Sequence, residues 1–165
     1  MAYDAFLKLD GIDGEVAASG FEKWIEVFSF SWGATQVGIN ATGSGGGAGK
    51  VSMQDIHFTS SQSKASPLLF LKCCTGEHIP TGMLTLRKAG GDANSAGGAG
   101  GVFLQIKLED VFVSSYSDGG AEQGDDRPQD EVSLNFTKIE MQYTAPDGTT
   151  SEMGWDVRAN SPFAP

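Results

Sequence analysis

Glu22-Lys23-Trp24-Ile25-Glu26-Val27-Phe28-Ser29-Phe30-Ser31-Trp32 alternates over its whole length. Trp24, Glu26, Phe28, Phe30 and Trp32 share one parity; Ile25, Val27, Ser29 and Ser31 share the other. A period of two, rich in aromatic and β-branched residues, marks a β-strand. The bulky Phe28, Phe30 and Trp32 are expected to face a core, which turns Ser29 and Ser31 outward.

The same period recurs on both sides of this stretch. Residues 2–9, 50–59, 82–88, 102–115, 131–143 and 153–159 all read as strands. Within 131–143, Val132, Leu134 and Phe136 hold one parity, and Ile139, Met141 and Tyr143 the other. That switch predicts a β-bulge near Thr137-Lys138. One segment breaks the pattern: Ser66-Pro67-Leu68-Leu69-Phe70-Leu71-Lys72-Cys73-Cys74-Thr75-Gly76. Serine as N-cap, proline at the first helical position and glycine just past the end predict a short helix over about 66–75. The fold class is mainly β and antiparallel, a barrel or sandwich with one helix packed on it.

Composition excludes several functions. The 165 residues suit one domain, 1–165, able to bury its own core without a staple. Eleven basic against 21 acidic residues leave a formal charge of −10. A surface of that sign is wrong for nucleic acid, whose binders release counterions with lysine and arginine, and wrong for anionic lipid. No apolar run approaches the length of a membrane span, so no membrane insertion is expected. Cys73 and Cys74 are adjacent and close no useful disulfide, which points to folding in a reducing compartment. The opening Met1-Ala2-Tyr3-Asp4-Ala5-Phe6-Leu7-Lys8 has no basic region ahead of an apolar one, so export is expected to use no N-terminal signal.

Catalytic and ligand-binding patterns are missing. Gly45 to Lys50 has a phosphate-loop look, but the spacing needs glycine where Ser44 stands and a hydroxyl where Val51 stands. Cys74 and His78 are four apart, yet Gly76 should end the helix between them, and no second pair completes a metal site. His57 reads as a half-buried sheet residue, and the acidic run 118–131 as a solvated connection. No enzyme activity, cofactor or metal is expected. Two loops, 38–49 and 90–101, carry six glycines each. Such loops lose much entropy on ordering, so they either stay loose or order on a partner.

Many short stretches, in order from about residue 3 to 160, resemble the haemolysin-coregulated protein (Hcp) family, the tube protein of bacterial type VI secretion. They include Tyr3-Asp4-x-Phe6-Leu7-Lys8-x-Asp10-Gly11-Ile12-x-Gly14-Glu15, Trp24-Ile25-Glu26-Val27 and Ser29-Phe30-Ser31-Trp32-Gly33. Gly49-Lys50-Val51, Phe58-Thr59, Ser66-Pro67-Leu68 and Leu84-Thr85-Leu86-Arg87-Lys88-Ala89-Gly90-Gly91 continue the match. Val113-Ser114-Ser115, Val132-Ser133-Leu134-Asn135-Phe136 and Gly154-Trp155-Asp156 close it. Two departures stand out: Phe21, where many members are polar, and a glycine-rich 92–101.

The resemblance implies a small β-barrel of two sheets with one helix, assembled into a ring of six around a wide channel. Stacked rings would form the inner tube of a contractile machine, with a sheath around it and a spike protein at its tip. The tube would be assembled in the bacterial cytoplasm, then secreted, carrying and chaperoning small effectors in its lumen. On this reading Ser29 and Ser31 face the lumen and touch cargo. The loop with Gly38, Asn40, Thr42, Ser44, Gly46 and Lys50 would reach the neighbouring ring. The alternatives are a monomeric β-barrel binding a ligand in its interior, and a hydrolase using carboxylates from 118–131.

Overall fold

The structure, a computed structural model, describes residues 3–36, 50–89, 101–124 and 126–165. The strands are β1 (Tyr3–Leu9), β2 (Ile25–Val27), β3 (Ser29–Ser31), β4 (Ala34–Thr35), β5 (Ser52–Met53) and β6 (Ile56–Ser61). After the helix α1 (Ala65–Thr75) come β7 (Ile79–Lys88), β8 (Val102–Gly119), β9 (Gln129–Asn135), β10 (Lys138–Thr144), β11 (Thr150–Asp156) and β12 (Ser161–Pro162). All described ladders are antiparallel. Sheet A runs β12-β11-β10-β8-β7-β1-β2, and sheet B runs β3-β6-β9-β8. β4 and β5 pair only with each other among the described residues.

β8 belongs to both sheets. Up to Val111 it pairs with β7 and β10, and from Phe112 onward with β9. The bend falls at Asp110, whose φ of 53° is left-handed, a conformation aspartate tolerates better than most residues. The chain changes sheets again at Phe136-Thr137 and at Phe28. Corners of this kind are how strands turn from one sheet of a sandwich into the other. No described ladder joins β2 to β6, so the barrel is open there, and the chain itself crosses the gap through Phe28.

These corners correct two sequence expectations. Residues 131–143 are not one bulged strand; β9 ends at Asn135 in sheet B and β10 begins at Lys138 in sheet A. The parity switch marks the corner. Likewise, residues 22–32 are two short strands. Ile25 and Val27 are the buried residues of β2, Glu26 is exposed, and Phe28 is 54% exposed at the turn. Two successive outward residues, Phe28 and Ser29, reset the alternation, so Phe30 and Trp32 pack against the core while Ser29 and Ser31 are exposed.

The core is one continuous cluster. Ile106, Leu108, Val111, Leu134 and Ile139 are fully buried within it. Burying a side chain of this size stabilises by about 1.5–3 kcal/mol. The cluster fills the space between the sheets, where a monomeric binding barrel would hold its ligand.

α1 packs on the inward parity of sheet B through Ala65 and Leu69, with Phe70 edge-on to Tyr116. Gly76 closes it in the left-handed conformation, φ 67°, its N–H bonded to the Lys72 carbonyl at 2.9 Å. The start differs from expectation: the helix begins at Ala65, and Lys64 gives no side-chain cap. Ser66 lies inside the first turn, where its Oγ accepts the Ser63 N–H at 3.0 Å and donates to Asp130. Pro67 sits harmlessly in the same turn, because N–H groups there have no intrahelical partner. Cys73 is half-buried and Cys74 exposed, both as free thiols.

Phe21, one of the departures, has a local role. Its ring lies 4.9 Å from Phe6 and 5.0 Å from Trp24, and the Arg87 guanidinium sits 5.3 Å above it and 5.2 Å above Phe6. Arg87 also donates to Asp4 at 3.2 Å. This stack pins the connection between β1 and β2 onto sheet A through aromatic packing and cation–π attraction.

Candidate functional site

The outward face of sheet B is built from residues of one parity on four strands. Cross-strand register aligns them in ranks. Ser31 stands opposite His57, His57 opposite Ser133, and Ser133 opposite Ser115. The next rank is Ser29, Thr59, Glu131 and Ser117; a third is Ser61, Gln129 and Gly119. Every member is small or polar, and no lysine or arginine occurs in these four strand segments of sheet B.

The hydroxyls bind one another. Ser29 Oγ and Thr59 Oγ1 are 2.6 Å apart. Ser115 Oγ donates to Ser133 Oγ at 2.7 Å, and Ser133 Oγ lies 2.6 Å from His57 Nδ1. At the edge of this face Asp55 accepts from Ser114 at 2.6 Å and from Asn135 at 2.9 Å. The result is a smooth, hydroxyl-rich face on which Glu131 is the one charged residue of the three ranks.

Ser29 and Ser31 therefore lie where their parity placed them, on an exposed and polar face. Lys50 is exposed next to the start of β5; Gly38, Asn40, Thr42, Ser44 and Gly46 lie outside the described residues. His57 is exposed rather than half-buried, because its parity is the outward one. The sequence reading missed His57, Ser133, Ser115 and Glu131 as members of the face. Alternating Ser, Thr and His at 57–61 and 115–117 was the available signal, but their register across strands is not written in any one segment.

Residues 120–124 and 126–128 are the exposed connection expected of the acidic run 118–131, but the ends of the run lie in strands and need correction. Asp118 and Asp130 are cross-strand partners, and Asp130 is 1% exposed. Asp130 accepts from Ser66 and, at 3.0 Å, from Tyr116, whose hydroxyl is also 3.2 Å from Asp118. Burial, then the acceptors Asp130 and Asp118, push the Tyr116 hydroxyl pKa far above that of a free phenol. These carboxylates anchor the helix start to sheet B.

A second surface is apolar. Trp32, Ala34, Val51, Met53, Met153 and Trp155 line an open groove of about 640 Å³. The Trp155 indole N–H is buried without an acceptor among the described residues. The groove joins the late strand β11 to the β4–β5 ladder.

At the β8 corner, His78 Nδ1 is 2.5 Å from Asp110 Oδ1, Thr137 donates to Oδ2 at 2.8 Å, and Arg158 lies 3.8 Å away. The His78 hydrogen bond first, then that of Thr137, hold the Asp110 carboxyl below its ordinary range, outweighing desolvation. A lowered carboxyl contributes stability above the ordinary carboxylate range and loses it as pH falls through the lowered value. Asparagine at this position would keep the left-handed backbone but not this titration. We therefore expect the Tm of the wild type to fall more steeply between about pH 5 and pH 2 than that of Asp110→Asn. Parallel pH profiles in calorimetry would contradict this role.

Among the described residues no three of His, Cys, Asp and Glu come together as a metal site, and no helix is long and apolar enough to cross a membrane. Comparison with known proteins decides the family. Residues 6–143 match the family described as type VI secretion system effector, Hcp. The chain belongs to the Hcp family. Protein hcp1 of Pseudomonas aeruginosa is 39% identical over 97% of this chain and 98% of its own. The crystal structure of Hcp1 from Salmonella typhimurium, 32% identical, aligns with a TM-score of 0.79 over 99% of this chain and 100% of that one. A solved type six secretion system protein, 30% identical, aligns at 0.85 over 98% and 100%. This Hcp chain is thus a type VI secretion protein with the mainly-β fold of its relatives.

Proposed function

We propose that this Hcp chain is a structural tube subunit and not an enzyme, folding as one barrel domain over 1–165 and closing into rings of six. Rings stack into the inner tube, inside a contractile sheath and behind a spike protein. The tube assembles in the bacterial cytoplasm and is secreted, with small effectors in its lumen. The observation that carries this reading is the outward face of sheet B. A channel wall must be wetted and smooth, and ranked serines and threonines with a single carboxylate per subunit, Glu131, meet that need. An ordinary solvated face would carry lysines.

Ring closure needs a heterologous contact, one surface of each subunit meeting a different one on the next. The groove at Trp32, Met53, Met153 and Trp155 is suited to be one of the two, since exposed apolar patches of this kind mark interaction sites. The loop from Gly38 to Lys50 is assigned to ring stacking. Shortening residues 38–49 should leave single rings and remove stacked ones in negative-stain images; loss of the rings themselves would place the loop at the subunit contact instead.

Ser31 tests the cargo role. Ser31→Gln puts a longer polar side chain into the wall and should leave ring mass unchanged while lowering the cellular level of lumen-bound effectors. Wild-type effector levels with intact rings would remove Ser31 from the cargo contact.

A further inference from the structure

The chemistry of the wall narrows what it binds, an inference that rests on the channel reading above. Ser115 donates to Ser133, which leaves the Ser133 proton for His57 Nδ1. An imidazole accepting at Nδ1 carries its hydrogen on Nε2. Ser133 is 3% exposed, so it holds the ring from beneath, while His57 itself is exposed on the outward parity of β6. Its Nε2–H is a donor fixed in direction. One rank along, Glu131 stands between Thr59 and Ser117. Thr59 is occupied by Ser29, and no cation among the described residues pairs with Glu131. The other carboxylate of this face, Asp55, already accepts from Ser114 and Asn135. The face therefore offers one aimed donor and one uncompensated negative charge, flanked by hydroxyls too short to hold a partner away.

We propose that His57 and Glu131 are the recognition pair of the wall, for a cargo protein whose contacting segment is basic. The His57 Nε2–H donates to a main-chain carbonyl of that segment, and Glu131 pairs with a lysine or arginine beside it. An acidic segment would meet both Glu131 and the chain's net charge of −10. Each subunit of a ring presents the pair once, so contacts weak singly gain by multivalency.

His57 and His78 are the only histidines in the chain, so His78 serves as an internal control. The assembled protein, with isotope-labelled histidine, is titrated with two capped peptides, Gly-Lys-Gly-Lys-Gly and Gly-Glu-Gly-Glu-Gly, while solution mass is recorded on the same samples. The lysine peptide should move the His57 ring signals to saturation and the glutamate peptide should not. Glu131→Gln should weaken the lysine peptide about 5-fold, the size an exposed ion pair warrants, and Glu131→Lys should abolish its effect at His57. Movement of His78 alone, equal response to both peptides, no response at either histidine, or unchanged affinity in Glu131→Gln would overturn the pair. Ring mass with any of these results leaves the channel reading standing and removes only the pair. Monomer mass overturns the channel reading, and the peptide results then judge the pair by the same criteria.

Discussion

Met153→Lys should turn rings into folded single subunits, with the solution mass falling about sixfold to 17.3 kDa. Met153 is 39% exposed on β11 and lines the apolar groove beside Trp155 and Trp32. In a free subunit a lysine there keeps its ammonium in water, so the fold should tolerate it. In a ring the same charge would be buried without a partner, a cost of several kcal/mol. Set against a contact repeated around a closed ring, that is enough to prevent assembly. Light scattering gives the mass, and circular dichroism confirms the fold. A variant that keeps ring mass would move the subunit contact away from this groove.

The second large effect lies inside the subunit. Asp130→Ala should cost about 3 kcal/mol, because it leaves the Ser66 hydroxyl without its buried acceptor and Tyr116 with only its longer contact to Asp118, at about 1–3 kcal/mol for each bond lost. For a chain of this length that is a fall in Tm of about 10 °C. Asp130→Asn, which keeps a carbonyl oxygen for one of the two donors, should lose roughly half as much. Urea unfolding of the three proteins measures the order. A loss below about 1 kcal/mol in the alanine variant would mean that α1 is held by the packing of Ala65, Leu69 and Phe70.

Local chemistry written in one segment proved legible. Gly76 ended the helix, alternation found most of the strands, and two adjacent cysteines stayed free thiols. The failures share one physical cause: corners. At Phe28 and at Phe136-Thr137 the chain leaves one sheet for the other, and a parity read straight through such a corner assigns the wrong face on one side of it. Glu26 was thereby grouped with Phe30, and Ile25 with Ser31. Asp130 was hidden for a different reason. Its neighbours Asp126 and Glu131 are exposed, and nothing within the acidic run announces that one carboxyl will meet Ser66, 64 positions away. The wall of sheet B lies between these cases. Ser29 and Ser31 were visible from one strand, whereas the rank through His57, Ser133 and Ser115 exists only once four strands are in register.

The central claim is that this face lines the channel of a ring of six. A single-particle electron microscopy reconstruction of the purified protein tests it most directly. The expected result is a sixfold ring in which Ser31, His57, Ser133 and Ser115 of every subunit face the axis. A ring with sheet B on its outer rim, or images of isolated subunits at micromolar concentration, would contradict it.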